Sequence, residues 1–153
     1  MTVKISDYPD ADPDYDLGVL ISRLNRDFER ELWRTLTARG FTDIGPRHGS
    51  VLAHLRPEGV RASDLARLSG QHKQVIGTIV DELEALGYAF RRPDPSDRRA
   101  KLVVPTERGQ AELATAHEVI AVFEQRQAEV LGPARYLQFR EALRDLAQAS
   151  VLS

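Results

Sequence analysis

Residues 62–104 read ASDLARLSGQHKQVIGTIVDELEALGYAFRRPDPSDRRAKLVV. Apolar side chains recur at helical spacing over 62–68 and over 72–86, and the Ser-Gly-Gln at 69–71 between them is typical of a tight turn. Gly87 follows the second run, at a position where glycine commonly ends a helix. Two helices joined by a short turn that contains glycine match the helix-turn-helix pattern.

The sequence after Gly87 has the spacing of strands rather than of helices. Residues 88–92 and 101–104 each predict a short strand, and the proline- and aspartate-rich residues 93–97 between them predict a turn. The helical pair is therefore expected to be followed by a β-hairpin with a charged tip.

Helices are also predicted on both sides of this unit. Apolar residues at helical spacing run from residue 16 to Gly40, and such a helix is about 36 Å long, comparable with the width of a compact domain of this size, which suggests a second subunit. Further helices are expected over 46–55, 106–131 and 134–149. The helix at 106–131 has Thr106 as its expected N-cap and apolar side chains at Leu113, Ala116 and Ile120.

Composition and charge limit the class of protein. The 153 residues leave room for one domain, and their net charge of −2 taken alone argues against a nucleic-acid partner. That charge is uneven, because residues 61–101 hold eight basic and six acidic side chains and four arginines gather within 91–99. Such crowding is the electrostatic footprint of a nucleic-acid-binding surface. The absence of cysteine excludes disulfides, thiolate zinc sites, iron–sulfur clusters and thiol switches.

The N-terminal residues differ from the rest. Residues 1–15 are rich in aspartate and poor in aliphatic side chains, so we expect a mobile acidic arm. A secretory signal would need a basic start and an apolar stretch, and no apolar run approaches the ~20 residues of a membrane span. These features predict a cytoplasmic protein without a membrane partner.

Three segments, at 62–70, 80–88 and 91–109, resemble the winged helix-turn-helix regulators of the MarR family. The most specific of them is the wing, where the side chains Asp94, Asp97, Arg98 and Arg99 precede an aliphatic strand and a Thr-Glu-Arg-Gly sequence. The resemblance implies a mainly α fold with a small β-hairpin wing, assembled as an intertwined helical homodimer. It divides the chain into a helical dimerisation region at 16–45 and 105–153 and a winged helix-turn-helix at 46–104.

The same resemblance implies a function. It indicates a regulator without enzymatic activity that binds a pseudo-palindromic DNA duplex, in most members as a repressor, and that can answer a small aromatic ligand. No cofactor is implied. The alternative interpretation is a winged helix that binds an acidic protein and does not bind DNA.

Candidate DNA-reading residues follow from how such a motif docks. The start of the second helix enters the major groove, which selects His72, Lys73, Gln74, Gly77 and Thr78. Lysine can donate to guanine, glutamine can pair with adenine, and threonine can meet thymine. Gly77 in mid-helix costs about 1 kcal/mol against alanine. Two explanations for a glycine here are open. It allows a close approach to DNA or to a neighbouring helix, or it relieves crowding under the wing.

Candidate wing residues follow from both charge and resemblance. An arginine at a hairpin tip can enter a narrow minor groove, and the resemblance implies that Arg98 or Arg99 does so while Asp94 or Asp97 holds the loop. Side chains alternate along a strand, so of Arg91 and its neighbour Arg92 only one should face phosphate and the other should pair with an acid. We assign the DNA contact to Arg91.

Other polar residues have weaker patterns. Gln71 occupies a position where the family usually has an aliphatic side chain, and it is expected to cap the following helix instead. Trp33 and His48 are candidates for a ligand pocket, because the resemblance places the helix that contains His48 beside one. His48 and His54 lie on different helical faces without a cysteine nearby, so no metal site is predicted, and no catalytic constellation is apparent.

Overall fold

The computed structural model describes residues 16–151 of the chain, so the predicted acidic arm at 1–15 lies outside the described residues. Within this range six helices and three strands form, and the strands make one antiparallel sheet in the order β1-β3-β2. The predicted fold class, mainly helical with a small winged sheet, is confirmed. The elements in chain order are α1 (Leu17–Ala38), α2 (Pro46–Leu52), β1 (Val60–Arg61), α3 (Ala62–Ser69), α4 (Lys73–Ala85), β2 (Ala89–Asp94), β3 (Asp97–Pro105), α5 (Glu107–Leu131) and α6 (Pro133–Val151).

The hairpin differs from its prediction in length and in register. Only Pro95 and Ser96 lie in the turn, because both strands continue to the charged end that the sequence assigned to a loop. Pairing is regular from Ala89 with Pro105 to Pro93 with Lys101, after which Asp94 pairs with Asp97. Residues 98–100 of β3 therefore face no partner and form a bulge, a device that redirects side chains.

The core lies between the helix-turn-helix and the sheet. Tyr88 is fully buried in it, and its hydroxyl donates a 2.7 Å hydrogen bond to Asp43 while the Arg108 guanidinium lies 4.3 Å above its ring. Burial in this cluster and the bond to Asp43 raise the pKa of Tyr88. The core side chains, all at most 3% exposed, are Val51, Leu52, Leu55, Leu65, Ile76, Ile79, Val80, Leu83, Tyr88, Ala89 and Val103.

Helix α5 is anchored to this core at its first turn. The Thr106 side chain accepts a 3.1 Å hydrogen bond from the Gly109 backbone N–H, which confirms Thr106 as the N-cap. A Cβ on Gly109 would lie 2.1 Å from the carbonyl oxygen of Tyr88, the residue before β2, so only glycine permits this close contact.

The buried face of α5 is rotated by about one residue from the predicted one. Gly109, Glu112, Thr115 and Val119 are buried, whereas Leu113, Ala116 and Ile120 are half-buried. The reason is that α5 packs on α1 as well as on the core, so its apolar stripe is only partly covered by its own chain.

The long helices leave apolar side chains uncovered. Helices α1 and α5 are joined by an edge contact between Phe28 and Phe123 and by a two-pronged 2.9 Å pair from Arg126 to Glu31. Leucines and other apolar residues of α1 and α6 nevertheless face outward, among them Leu17, Ile21, Leu24, Leu137, Phe139 and Leu143. Among residues 16–151, no helix combines the length and the apolar character that a membrane span requires.

Candidate nucleic-acid interface

The turn between α3 and α4 is set by backbone contacts. Gly70 takes a left-handed conformation with φ 66°, and the Gln71 N–H donates to the Ala66 carbonyl at 3.2 Å. His72 is the N-cap of α4, and neither its side chain nor that of Gln71 makes a capping hydrogen bond within residues 16–151. The expected capping by Gln71 is therefore wrong, because the turn already satisfies its backbone and leaves its side chain exposed.

The first turn of α4 presents its side chains outward. Those of His72, Lys73, Gln74 and Thr78 are all exposed, as the docking geometry of the motif requires. Val75 is 42% exposed beside the fully buried Ile76, so it shares the exposed face. Sequence reasoning did not single out Val75, because two adjacent apolar residues at a helix start do not show which of them is covered.

Gly77 lies on the same helix with open space around it. Apart from its own helical backbone and chain neighbours, no atom of residues 16–151 lies within 4 Å of the position that a Cβ would occupy. Relief of crowding under the wing is therefore wrong as an explanation of this glycine. A close approach by a molecule outside the chain remains consistent with it.

The tip of the wing is held by two aspartates. Asp94 is buried, and it accepts hydrogen bonds from the Ser96 hydroxyl at 2.7 Å, the Ser96 N–H at 2.8 Å and Arg61 Nε at 2.7 Å. These contacts, the Ser96 hydroxyl foremost, lower the pKa of Asp94 to about 2. Asp97 accepts a 3.0 Å bond from the Arg99 N–H. The prediction was that Asp94 or Asp97 holds the loop, and in the structure both do so.

Arg61 is a wing residue that sequence reasoning missed. It lies on β1, paired with Leu102 of β3, and from there it bridges to Asp94 across the sheet. No sequence motif marks it, because a strand of two residues is too short to give a pattern or to reveal its partner.

The basic side chains of this region fall into two groups. Those of Lys73, Arg98, Arg99 and Lys101 are exposed, and none makes a hydrogen bond or ion pair with another side chain or backbone group in residues 16–151. Arg91, in contrast, pairs with Asp81 at 2.8 Å and with Glu84, so it is the arginine that pairs with acids. The predicted DNA contact by Arg91 is therefore without geometric support, because α4 presents two carboxylates to that face of the strand.

The two predicted ligand-pocket residues, Trp33 and His48, both make contacts within the chain. His48 is 8% exposed, and its Nδ1 accepts from the Gly45 N–H at 3.0 Å while its Nε2 bonds to Glu82 at 3.1 Å. Trp33 lies against Gly49 of α2. A separate groove of about 450 Å³ lies between α1 and α5, lined by Asp27, Arg30, Glu31, Arg34, Phe123, Arg126 and Gln127. Ligand contact by Trp33 and His48 stays a prediction.

The second helix of the helix-turn-helix exposes its first residues, and the adjacent hairpin carries two arginines in its bulge whose side chains are unpaired within residues 16–151. This arrangement defines a winged helix-turn-helix protein. The model of the MarR family matches residues 42–100. No curated protein matches the chain.

Solved structures match over most of the chain. CouR from Rhodococcus jostii RHA1, bound to p-coumaroyl-CoA, is 30% identical, with 90% of this chain and 96% of that chain covered and a TM-score of 0.74. A MarR-family transcriptional regulator from Rhodococcus sp. RHA1 is 28% identical with the same coverage and a TM-score of 0.71. The transcriptional repressor CouR bound to a 23-mer DNA duplex is 25% identical, with both chains fully covered and a TM-score of 0.65. The chain belongs to the MarR family of transcriptional regulators.

Proposed function

We propose that this protein is a sequence-specific transcriptional regulator that binds a pseudo-palindromic DNA duplex as a homodimer. One observation carries this proposal: Lys73, Arg98, Arg99 and Lys101 are exposed without partners in the described chain, on the elements that reach the grooves in such proteins. Arginines and lysines free of internal acids are available to displace counterions from phosphates. The duplex held by the similar CouR repressor supports the same interpretation.

The roles of the side chains follow from their positions. His72, Lys73, Gln74 and Thr78 read base edges in the major groove, and the open space at Gly77 lets the helix approach closely. Val75 adds an apolar surface for a thymine methyl group. One of Arg98 and Arg99 enters the minor groove, while Asp94, Asp97 and Arg61 hold the wing in shape.

The homodimer is proposed from the apolar residues that the single chain leaves uncovered. Leu17 is 72% exposed on α1, and Leu137 and Leu143 are 59% and 49% exposed on α6. Apolar side chains left uncovered in such number mark an interaction site, and helices at both ends of the chain carry them. A second copy of the chain, with its own α1 and α6, buries these faces at 16–45 and 105–153.

We further propose that the protein acts as a repressor that a small aromatic ligand relieves. Two similar structures support this: CouR from Rhodococcus jostii RHA1 is bound to p-coumaroyl-CoA, and a repressor also named CouR, with a different identity to this chain, is bound to DNA. A ligand that binds better to an arrangement of the dimer unable to hold DNA shifts the population toward that arrangement.

Gel filtration at low salt, with and without duplex DNA, tests these points together. The protein is expected to elute as a dimer and to shift with the duplex, and an active aromatic acid or its CoA thioester is expected to reverse that shift. Replacing Leu137 and Leu143 by glutamate is expected to give a monomer, whereas the control Gln110→Glu adds charge on α5 and keeps the dimer.

A monomeric wild-type protein that ignores DNA would overturn the proposal and favour the protein-interaction module. A dimer that persists with both leucines replaced would show that α6 is not the interface.

A further inference from the structure

Arg91 connects the wing to the recognition helix by several bonds at once. Its side chain, 24% exposed, extends from β2 and reaches Asp81 with Nη2 at 2.8 Å and Glu84 with Nη1. The Arg91 backbone N–H donates to the second oxygen of Glu84 at 2.6 Å, and Nη2 also reaches the Gly77 carbonyl at 3.5 Å.

These contacts fix an orientation as well as a distance. Positions 77, 81 and 84 are spaced by four and three residues and lie on one face of α4, so a single guanidinium spans about two turns of the helix. A guanidinium is planar and holds carboxylates in a fork geometry, which lysine cannot reproduce. The Glu84 carboxylate is used twice, once by the side chain and once by the backbone of the same strand residue.

The neighbouring Arg92 does not take part in this link between β2 and α4. Arg92 points to the other side of the strand, is exposed, and donates to the Glu58 carbonyl at 2.6 Å, and no hydrogen bond or ion pair joins it to α4. Two adjacent arginines on one strand therefore have separate partners, and only one of them joins the two DNA-facing elements.

We propose that Arg91 is a positioning residue for DNA recognition. It does not contact the duplex, and its bonds to Asp81 and Glu84 set the angle between the wing and α4, so that both grooves are met at the same time. This inference rests on the proposed DNA-binding function and adds a residue that determines how the two contacts are combined.

The test compares Arg91→Gln, Glu84→Gln and the control Arg92→Gln in affinity for a duplex selected by the wild-type protein. Arg91→Gln is expected to weaken binding by about tenfold or more, and Glu84→Gln by about threefold or more. Without these bonds the angle between the wing and α4 is no longer fixed, so the two elements fit the duplex less well at the same time. Arg92→Gln removes the same charge and is expected to change affinity by no more than about threefold. Hydroxyl-radical footprints of the two weakened variants are expected to lose protection under the wing first.

The direction of the affinity change in Glu84→Gln distinguishes a positioning role of Arg91 from a direct contact with DNA. If Arg91 contacted a phosphate directly, removing its acidic partner would free the cation and strengthen binding, so tighter or unchanged binding by this variant overturns the inference. Thermal melting checks the fold, and Arg91→Lys, which keeps the charge but not the fork, should lose the wing footprint if Arg91→Gln fails to fold. A wild-type protein and an Arg92→Gln variant that both bind no DNA would instead overturn the proposed function.

Discussion

Replacing Arg98 and Arg99 together by alanine is expected to weaken duplex binding by about tenfold or more, because each lost contact to phosphate or groove removes electrostatic affinity. Both side chains lie in the bulge of β3, exposed and without partners among residues 16–151. Their removal therefore breaks no internal bond, and the fold should persist. An electrophoretic mobility-shift titration measures the loss, and thermal melting checks the fold.

The matched control removes two arginines elsewhere. Arg23 and Arg26 on α1 are also exposed, and alanine at both changes the net charge by the same amount. This control is expected to bind nearly as well as the wild type. Equal affinity of the bulge variant and the wild type would show that the wing does not contact DNA.

The second large effect concerns Glu112, a residue that is 3% exposed on the buried face of α5. Its Oε2 is buried with no hydrogen-bond partner in residues 16–151, and this desolvation raises the pKa of Glu112 from 4.5 to about 7. Glu112 lies one helical turn beyond Arg108, which covers the Tyr88 ring.

The direction of the pH dependence follows from proton linkage. Between pH 4.5 and pH 7 the folded protein keeps a proton that the unfolded chain releases, so the free energy of unfolding falls as pH rises through this window. A shift of this size corresponds to about 3 kcal/mol when the carboxyl is fully ionised.

Glu112→Gln should remove this dependence because the amide does not ionise. Urea unfolding followed by circular dichroism should show a decrease in stability from pH 5 to pH 8 that is smaller by roughly 2–3 kcal/mol than in the wild type. The exposed Glu107→Gln serves as control and should keep the wild-type profile. Identical pH profiles for Glu112→Gln and the wild type would contradict a buried, protonated Glu112.

Local spacing predicted most of the fold, and packing between distant residues accounts for what it missed. Helix periods and the capping by Thr106 are properties of short segments, and they were predicted correctly. The wing strands were predicted too short because Pro93, Asp94 and Asp97 resemble turn residues, whereas in the sheet Asp94 is stabilised by Arg61, 33 positions earlier.

The candidate site likewise was predicted where it depends on local spacing and missed where it depends on packing between distant residues. Strand alternation indicated that one of Arg91 and Arg92 pairs with acids, but the choice depends on where α4 places Asp81 and Glu84. Glu112 was not singled out, because a glutamate in a charged helix gives no sign of burial. Its burial results from the rotation of α5 against α1 and the core.

The most direct test of the central claim is selection of bound sequences from a pool of random duplexes by the wild-type protein and by a Lys73→Ala/Gln74→Ala variant. The wild type is expected to enrich a pseudo-palindrome whose half-site centres lie about one DNA turn, ~34–36 Å, apart. The variant is expected to select the same spacing with relaxed base preference in each half-site. Enrichment of no motif by the wild type, or of the same motif by both proteins, would contradict base reading by the start of α4.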